Sequence, residues 1–306
     1  MSRIARKLVL SIVTVVLTVF ALGSTTFAWF TLTNTAQVQP FQAQIVADTG
    51  IEIAVGNVPA EGITALNWVT TLTTAQMQAF IEQEFTSGFR FNIVTTADGS
   101  TFETLGVDQM VEANGGYLEI PLHFRSNTAN RILWSQVTLT SPSDPWLNDV
   151  SFTYVDGTVR NAGANIPIDA SNAMRISVSG TVNSLANIVA YEKPAGDMIS
   201  NFNVVLGTGG DLSNGGIGDP GAMNYYYAKS NALPFGTSAV TTLATITSLS
   251  SNPVVDLTPG SVVDAGQEFY GVVIVRVWLE GWDANAYNSV LNRIITASLR
   301  FTGTSI

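Results

Sequence analysis

The sequence predicts an all-β fold, a jelly roll or β-sandwich with short helical insertions, preceded by one N-terminal hydrophobic helix. Three observations carry this. Beyond residue 40, apolar and polar residues alternate with a period of two over most of the chain. A 3.6-residue cycle is confined to two short stretches. Roughly a dozen candidate strands follow one another at short intervals, separated by turn-forming residues.

The elements follow in chain order. Residues 1–28 have the form of an export signal. Arg3, Arg6 and Lys7 precede an apolar run over residues 8–23, and small residues then lead to Thr26-Phe27-Ala28. The small-x-small pattern places cleavage between Ala28 and Trp29. An uncleaved anchor is the other possibility, because residues 8–30 carry no charge and are long enough to span a bilayer. In both cases the basic end stays cytoplasmic and the rest lies outside, so the expected location is extracellular or at the cell surface. The chain has no cysteine. An exported protein of this length without disulfides fits a prokaryotic surface, where a large core makes them unnecessary. The expected divisions are residues 1–28 as signal or anchor, 29–40 as a mature N-terminal strand, and 41–306 as one β-sandwich domain.

Residues 29–39 (WFTLTNTAQVQ) form the next element. Phe30, Leu32, Ala36 and Val38 fall on one face, and Thr31, Thr33, Thr35, Gln37 and Gln39 on the other. A free N-terminus with this pattern is a strand in search of a sheet, its own or a neighbour's. Thr73 and Gln76 then make a capping box, and Met77, Phe80, Ile81 and Phe85 follow at helical spacing. In residues 117–125, Leu118, Ile120, Leu122 and Phe124 share one face, and Tyr117, Glu119, His123 and Arg125 the other. Pro121 places that strand at an edge or a bulge. Residues 132–140, 150–155, 174–180, 187–191 and 202–206 are further strands. Residues 207–221 are a glycine-rich loop leading into Tyr225-Tyr226-Tyr227. Two strands close the chain as a pair: 269–280, with Val273, Val275, Val277 and Leu279 inward, and 293–302, with Ile295, Ala297, Leu299 and Phe301. Between them Asp283 caps a turn or two carrying Tyr287, Val290 and Leu291.

Composition excludes several functions. Charged residues are 12% of the chain, too few for disorder or a nucleic-acid surface. The net charge of −10 repels phosphate backbones and anionic lipids. Without cysteine and with one histidine, thiolate and paired-histidine metal sites are excluded. Residues 216–221 (GIGDPG) match G-x-G-x-x-G in form, but no strand precedes them and no apolar helix follows, so they read as loop. His123 reads as a surface or interface residue, because no nucleophile and acid accompany it in sequence. Asp211, Asn214 and Asp219 miss the calcium-loop spacing. Glu280 and Asp283 could meet across a turn, but Asp283 serves as a cap and Glu280 as the outward partner of Arg276 or Arg300. No pair of carboxylates stands out for glycoside cleavage. We therefore expect no catalytic residue, no metal and no cofactor.

Residues 24–31 (STTFAWFT) resemble the junction of SipW-type signal peptides in the TasA and camelysin family of secreted proteins. The resemblance makes Ala28 the last signal residue and Trp29-Phe30 the aromatic pair that opens the mature chain. It implies a jelly roll, and extracellular biofilm fibres in which the N-terminal strand of one subunit completes the sheet of the next. Phe30, Leu32, Ala36 and Val38 would then be the subunit-binding strand, and the partner would be the protein itself. The membrane is involved only through the N-terminal helix before cleavage. The metallopeptidase label of some members is not carried over to a chain with one histidine. Residues 278–283 (WLEGWD), before a last Phe-containing strand, resemble uncharacterised secreted proteins with this kind of leader. The rival expectations are an anchored monomeric glycan-binding module, with Tyr225–Tyr227 and Trp282 as stacking surfaces, and a secreted hydrolase.

Overall fold

The computed structural model describes residues 42–48, 50–106, 109–194, 220–231, 242–260, 269–287, 290 and 293–306. The leader, residues 29–39, the candidate strand 202–206, Leu291 and the glycine-rich loop up to Asp219 lie outside the described residues.

The strands in chain order are β1 (Gln42–Ala47), β2 (Ile51–Val55), β3 (Thr71–Leu72), β4 (Ile93–Val94), β5 (Glu103–Leu105), β6 (Met110–Glu112) and β7 (Leu118–Ser126). Next come β8 (Arg131–Thr140), β9 (Asp144–Leu147), β10 (Phe152–Thr153), β11 (Val159–Arg160), β12 (Asn165–Ile168), β13 (Met174–Val182) and β14 (Leu185–Glu192). The last are β15 (Asn252–Asp256), β16 (Thr258–Pro259), β17 (Phe269–Glu280) and β18 (Thr296–Thr304). Two α-helices interrupt them among the described residues, α1 (Thr74–Glu84) and α2 (Ala222–Ser230). A five-stranded sheet runs β15-β8-β18-β1-β3. A seven-stranded sheet runs β14-β13-β17-β7-β2, with β4 and β16 also pairing with β17. The protein is thus all-β, as the alternation predicts.

The two sheets face each other across one apolar core. From β17, Val273, Val275, Val277 and Leu279 point into it, and from β18 so do Ala297, Leu299 and Phe301. Phe124 of β7 meets Phe301 of β18 edge-on at 5.1 Å, and Trp134 of β8 meets Tyr191 of β14 at 6.2 Å. At the β13–β15 corner the layers close so tightly that a Cβ on Gly180 would stand 2.4 Å from the Val254 carbonyl oxygen. Glycine is required there for close approach of two backbones.

Two expectations change in detail. The closing strands do not pair with each other: β17 lies between β13 and β7, while β18 lies between β8 and β1. Alternation reports which residues are buried, and two strands of opposite sheets bury the same kind of face. Pro121 sits in β7, which is not an edge strand. The Pro121 carbonyl accepts from Gly56 N–H at 3.1 Å, so its backbone groups face the β2 side, one residue past the end of β2. The missing donor is lost where the neighbouring strand has already ended.

α1 begins as predicted. Thr73 Oγ1 accepts from Gln76 N–H and Gln76 Oε1 accepts from Thr73 N–H, while Met77, Phe80 and Ile81 are buried. A helix of 11 residues is marginal alone, so its stability comes from this cap and from packing on β1.

Candidate functional site

The predicted site residues Ala28, Trp29, Phe30, Leu32, Ala36 and Val38 lie outside the described residues. What the structure does place is the strand they lead into and the sheet edges they could meet. β1 is an interior strand, paired in parallel with β18 along its length and antiparallel with β3 at Ile45 and Val46.

Three of the four main sheet edges are blunted. β3 has two residues and runs directly into capped α1. On β2, Ile53 exchanges both backbone hydrogen bonds with Val69, at 2.7 and 2.9 Å. β15 contains Pro253 and a register shift between Pro253 and Val255, and the Pro253 carbonyl accepts from Asn187 Nδ2 at 2.9 Å. These are the usual devices against edge-to-edge pairing.

The β14 edge differs along its length. Near its end, Ile246 N–H donates to the Ala190 carbonyl at 2.8 Å, and Glu192 N–H donates to the Ile246 carbonyl at 3.0 Å. Residues 190 and 192 therefore point their backbone groups outward, and strand alternation turns those of Ala186 and Ile188 the same way. No described residue pairs with them. A two-residue turn at Asn183 and Ser184, both at positive φ, closes the β13–β14 hairpin just before this stretch. Leu185 is 71% exposed. Residues 183–191 (NSLANIVAY) contain no charge and no proline.

At the opposite end of the same sheet lies a buried charge cluster that the sequence does not announce. Arg175 of β13 directs Nη2 to Asp283 Oδ2 at 2.6 Å and to Glu192 Oε2 at 2.8 Å, and Nη1 to the Met174 carbonyl at 3.2 Å. Glu280 stands beside it, accepting from Trp278 Nε1 at 2.9 Å and from Trp282 N–H at 3.2 Å. All four charged side chains are buried. The WLEGWD segment is thus internal: it ties the end of β17 to β13, β14 and β4. Glu280 is not the outward partner of Arg276 or Arg300; Arg276 pairs with Glu119 and Arg300 approaches Asp48. Asp283 caps a tight turn, its Oδ1 accepting from Asn285 N–H at 2.8 Å, while its other oxygen serves Arg175.

Burial pushes the Glu280 and Glu192 carboxyls above their ordinary value, against the pull of Arg175. A carboxyl whose folded pKa is raised contributes stability that is full below its unfolded value, 4.5 here, and is lost as pH rises through the folded value. Asp98, Asp156 and Asp256 are shifted down, Asp98 and Asp256 chiefly by hydrogen bonds and Asp156 by those of Thr158 against desolvation. They oppose this trend only where they protonate, below the ordinary Asp value of 3.8. His123, whose pKa burial lowers from 6.5, works the other way as pH falls below that value, so the carboxyl contribution is read as the difference between wild type and Glu280→Gln. From pH 5 to pH 8 the wild type is expected to lose more melting temperature, or gain less, than the variant, in which His123 is unchanged. A difference between the two proteins that does not change with pH would refute the assignment.

His123 is buried, not at the surface. The Gly56 carbonyl, 2.8 Å from Nε2, can only accept, so Nε2 carries the proton and Nδ1 accepts from the Tyr270 hydroxyl at 2.7 Å. Burial lowers its pKa and keeps it neutral. With Tyr270 and Gly56 on its two nitrogens, it faces no serine or threonine hydroxyl. Tyr225 and Tyr226 are buried in α2, and Trp282 is buried in the charge cluster, so these residues form no stacking surface. A hydroxyl bond to Asp149 and ring contacts with Trp146, Phe152 and Tyr287 account for Tyr225; Tyr227 is half-buried. A surface cleft of about 410 Å³ opens between α1 and β2, with Leu66, Leu72 and Phe80 at its base and Asn57, Asn67 and Gln83 among its walls. Among the described residues no group of three or more His, Cys, Asp or Glu side chains could hold a metal ion.

No protein-family model, characterised protein or solved structure shows significant similarity to this chain.

Proposed function

We propose that this is an exported structural surface protein, a jelly roll whose copies polymerise into extracellular fibres or a surface matrix by donating residues 29–39 to a neighbour. The observation that carries the reading is the uncharged, alternating segment 29–39 behind an export-type leader. It ends only two residues short of β1, a strand with a neighbour on each side. A strand held by its C-terminal end at the body of one subunit, with a free N-terminus, suits head-to-tail addition. Such a contact does not close on itself and so generates a filament. Burial of Phe30, Leu32 and Val38 supplies ~1–3 kcal/mol each before ordering costs.

Two measurements test it. Mass spectrometry of the exported protein should find Trp29 as the first residue; a detergent-soluble product retaining the leader would tether the strand and argue for an anchored protein. Deleting residues 29–39 behind the intact signal should leave a folded protein that no longer polymerises, and the peptide added in trans should stabilise it. If the deletion unfolds the domain and the peptide does nothing, the segment belongs to its own sheet. The second reading, an anchored glycan-binding module, is favoured by the amide-lined cleft over α1. It predicts monodisperse protein by electron microscopy at high concentration, and neutral oligosaccharide binding that Asn67→Ala weakens.

A further inference from the structure

We propose that the acceptor for residues 29–39 is the open edge of β14 at residues 185–189 of a second copy. This rests on the polymerisation reading above and assigns its unknown half. Every other main edge carries a protective device: shortness and a capped helix at β3, a reciprocal backbone bridge at β2, and a proline with a bulge at β15. Among the described residues the β14 edge carries none between the Asn183–Ser184 turn and Ala190. Ala186 and Ile188 there present outward N–H and C=O groups in a stretch of high β propensity and no charge. An undefended edge of this kind pairs with another strand. Ile246 already does so one step further along, which shows that the edge geometry admits a partner.

The occupant follows from chemistry and reach. The side chains of segment 29–39 are uncharged and its one charge, the α-amino group of Trp29, sits at the free end, so no side-chain charge is desolvated when the two strands meet. Leu185 and Val189 stand on the core-facing side of β14, in the row that continues Val178. An added strand lays Phe30, Leu32, Ala36 and Val38 alongside that row and turns its threonines to solvent. We assign the donor to another molecule, in keeping with the polymerisation reading. Val38 is four residues from Gln42, a span of at most ~14 Å. β1 lies three strand spacings, ~14 Å, from β15 within its own sheet, and β14 is in the opposite layer, ~10 Å further. A subunit cannot bring its own Val38 to its own β14 edge, whereas Leu32, ten residues from Gln42, spans up to ~36 Å, so the doubly substituted monomer below separates the two arrangements.

The absence of cysteine makes the test clean. Leu32→Cys and Leu185→Cys are made as separate variants, mixed under assembly conditions and oxidised. The expected result is a covalent dimer in the mixture that neither variant gives alone. Leu32→Cys mixed with Val159→Cys, at a site 66% exposed on another face, should give none. In an otherwise wild-type chain, Ala186→Lys should leave melting unchanged and raise the concentration needed for polymerisation about tenfold or more. Fibres that form normally with Ala186→Lys, and no selective 32–185 link, would place the acceptor elsewhere and leave the polymerisation reading standing. Wild-type protein that stays monomeric overturns both. An intramolecular link in the doubly substituted monomer would show self-completion and overturn the second copy.

Discussion

An Arg175→Ala variant is expected to lose ~3–5 kcal/mol of stability at neutral pH, the cost of leaving buried carboxylates without their counter-charge. Arg175 is 1% exposed and is the only cation among the described residues of the cluster, where Asp283 and Glu192 both reach its Nη2. The loss is large against the ~5–15 kcal/mol that holds a domain of this kind together. Two comparisons separate charge from packing. Arg175→Met keeps most of the volume and should lose nearly as much as alanine if charge dominates. Lowering the pH should then rescue both variants, because protonating Glu192 or Glu280, whose pKa values burial raises, removes stranded charge. Denaturant titrations at pH 7.5 and pH 5 measure this directly. A loss of equal size at both pH values, with methionine fully restoring stability, would assign the residue to packing.

That Arg175 could not be found in the sequence has a definite cause. In residues 174–180 the arginine alternates with Met174, Ile176 and Val178, beside Ser177 and Ser179, and reads as the wet face of a half-buried strand. Alternation assumes that the polar face meets water. Here the chain over β4–β6 and the stretch around Leu243 cover that face at one end, through contacts distant in sequence. The same covering hides Glu280, and a parallel effect under Gly56 and Tyr270 hides His123. Patterns that depend on near neighbours were legible. β17 begins and ends where its valines predict, and the Thr73–Gln76 box starts α1. The helix at Ala222–Ser230 was also there to be read, since Ala222, Tyr225 and Tyr226 stand at helical spacing and are buried together. Strand partners were not legible, because burial of one face does not say which neighbour supplies the hydrogen bonds. The open half of β14 is intermediate: its lack of charge is plain in NSLANIVAY, but only the ladder with β13 shows which residues face outward.

The second large effect is expected at Trp278. Its indole is fully buried on the face of β17 away from the main core, packed edge-on to Phe102 at 5.5 Å, with Phe102 stacked in turn on Tyr117 at 3.9 Å. This small cluster, with Val94 and Ala113, fastens the β4–β6 region to the seven-stranded sheet. Trp278→Ala should therefore cost ~3–5 kcal/mol in lost burial and cavity formation. It also takes from Glu280 the Trp278 Nε1–H donor, leaving a buried carboxyl short of a partner at a further ~1–3 kcal/mol. Trp278→Phe keeps most of the ring contact and loses only the N–H, so it should cost the smaller of these amounts and steepen the fall of stability with pH. Because the damage begins on one face, amide exchange should quicken first in residues 93–117 and only later in β8 and β18, whose core contacts are untouched. If Trp278→Ala instead melts like wild type while abolishing attachment to some ligand or partner, then WLEGWD is a recognition surface.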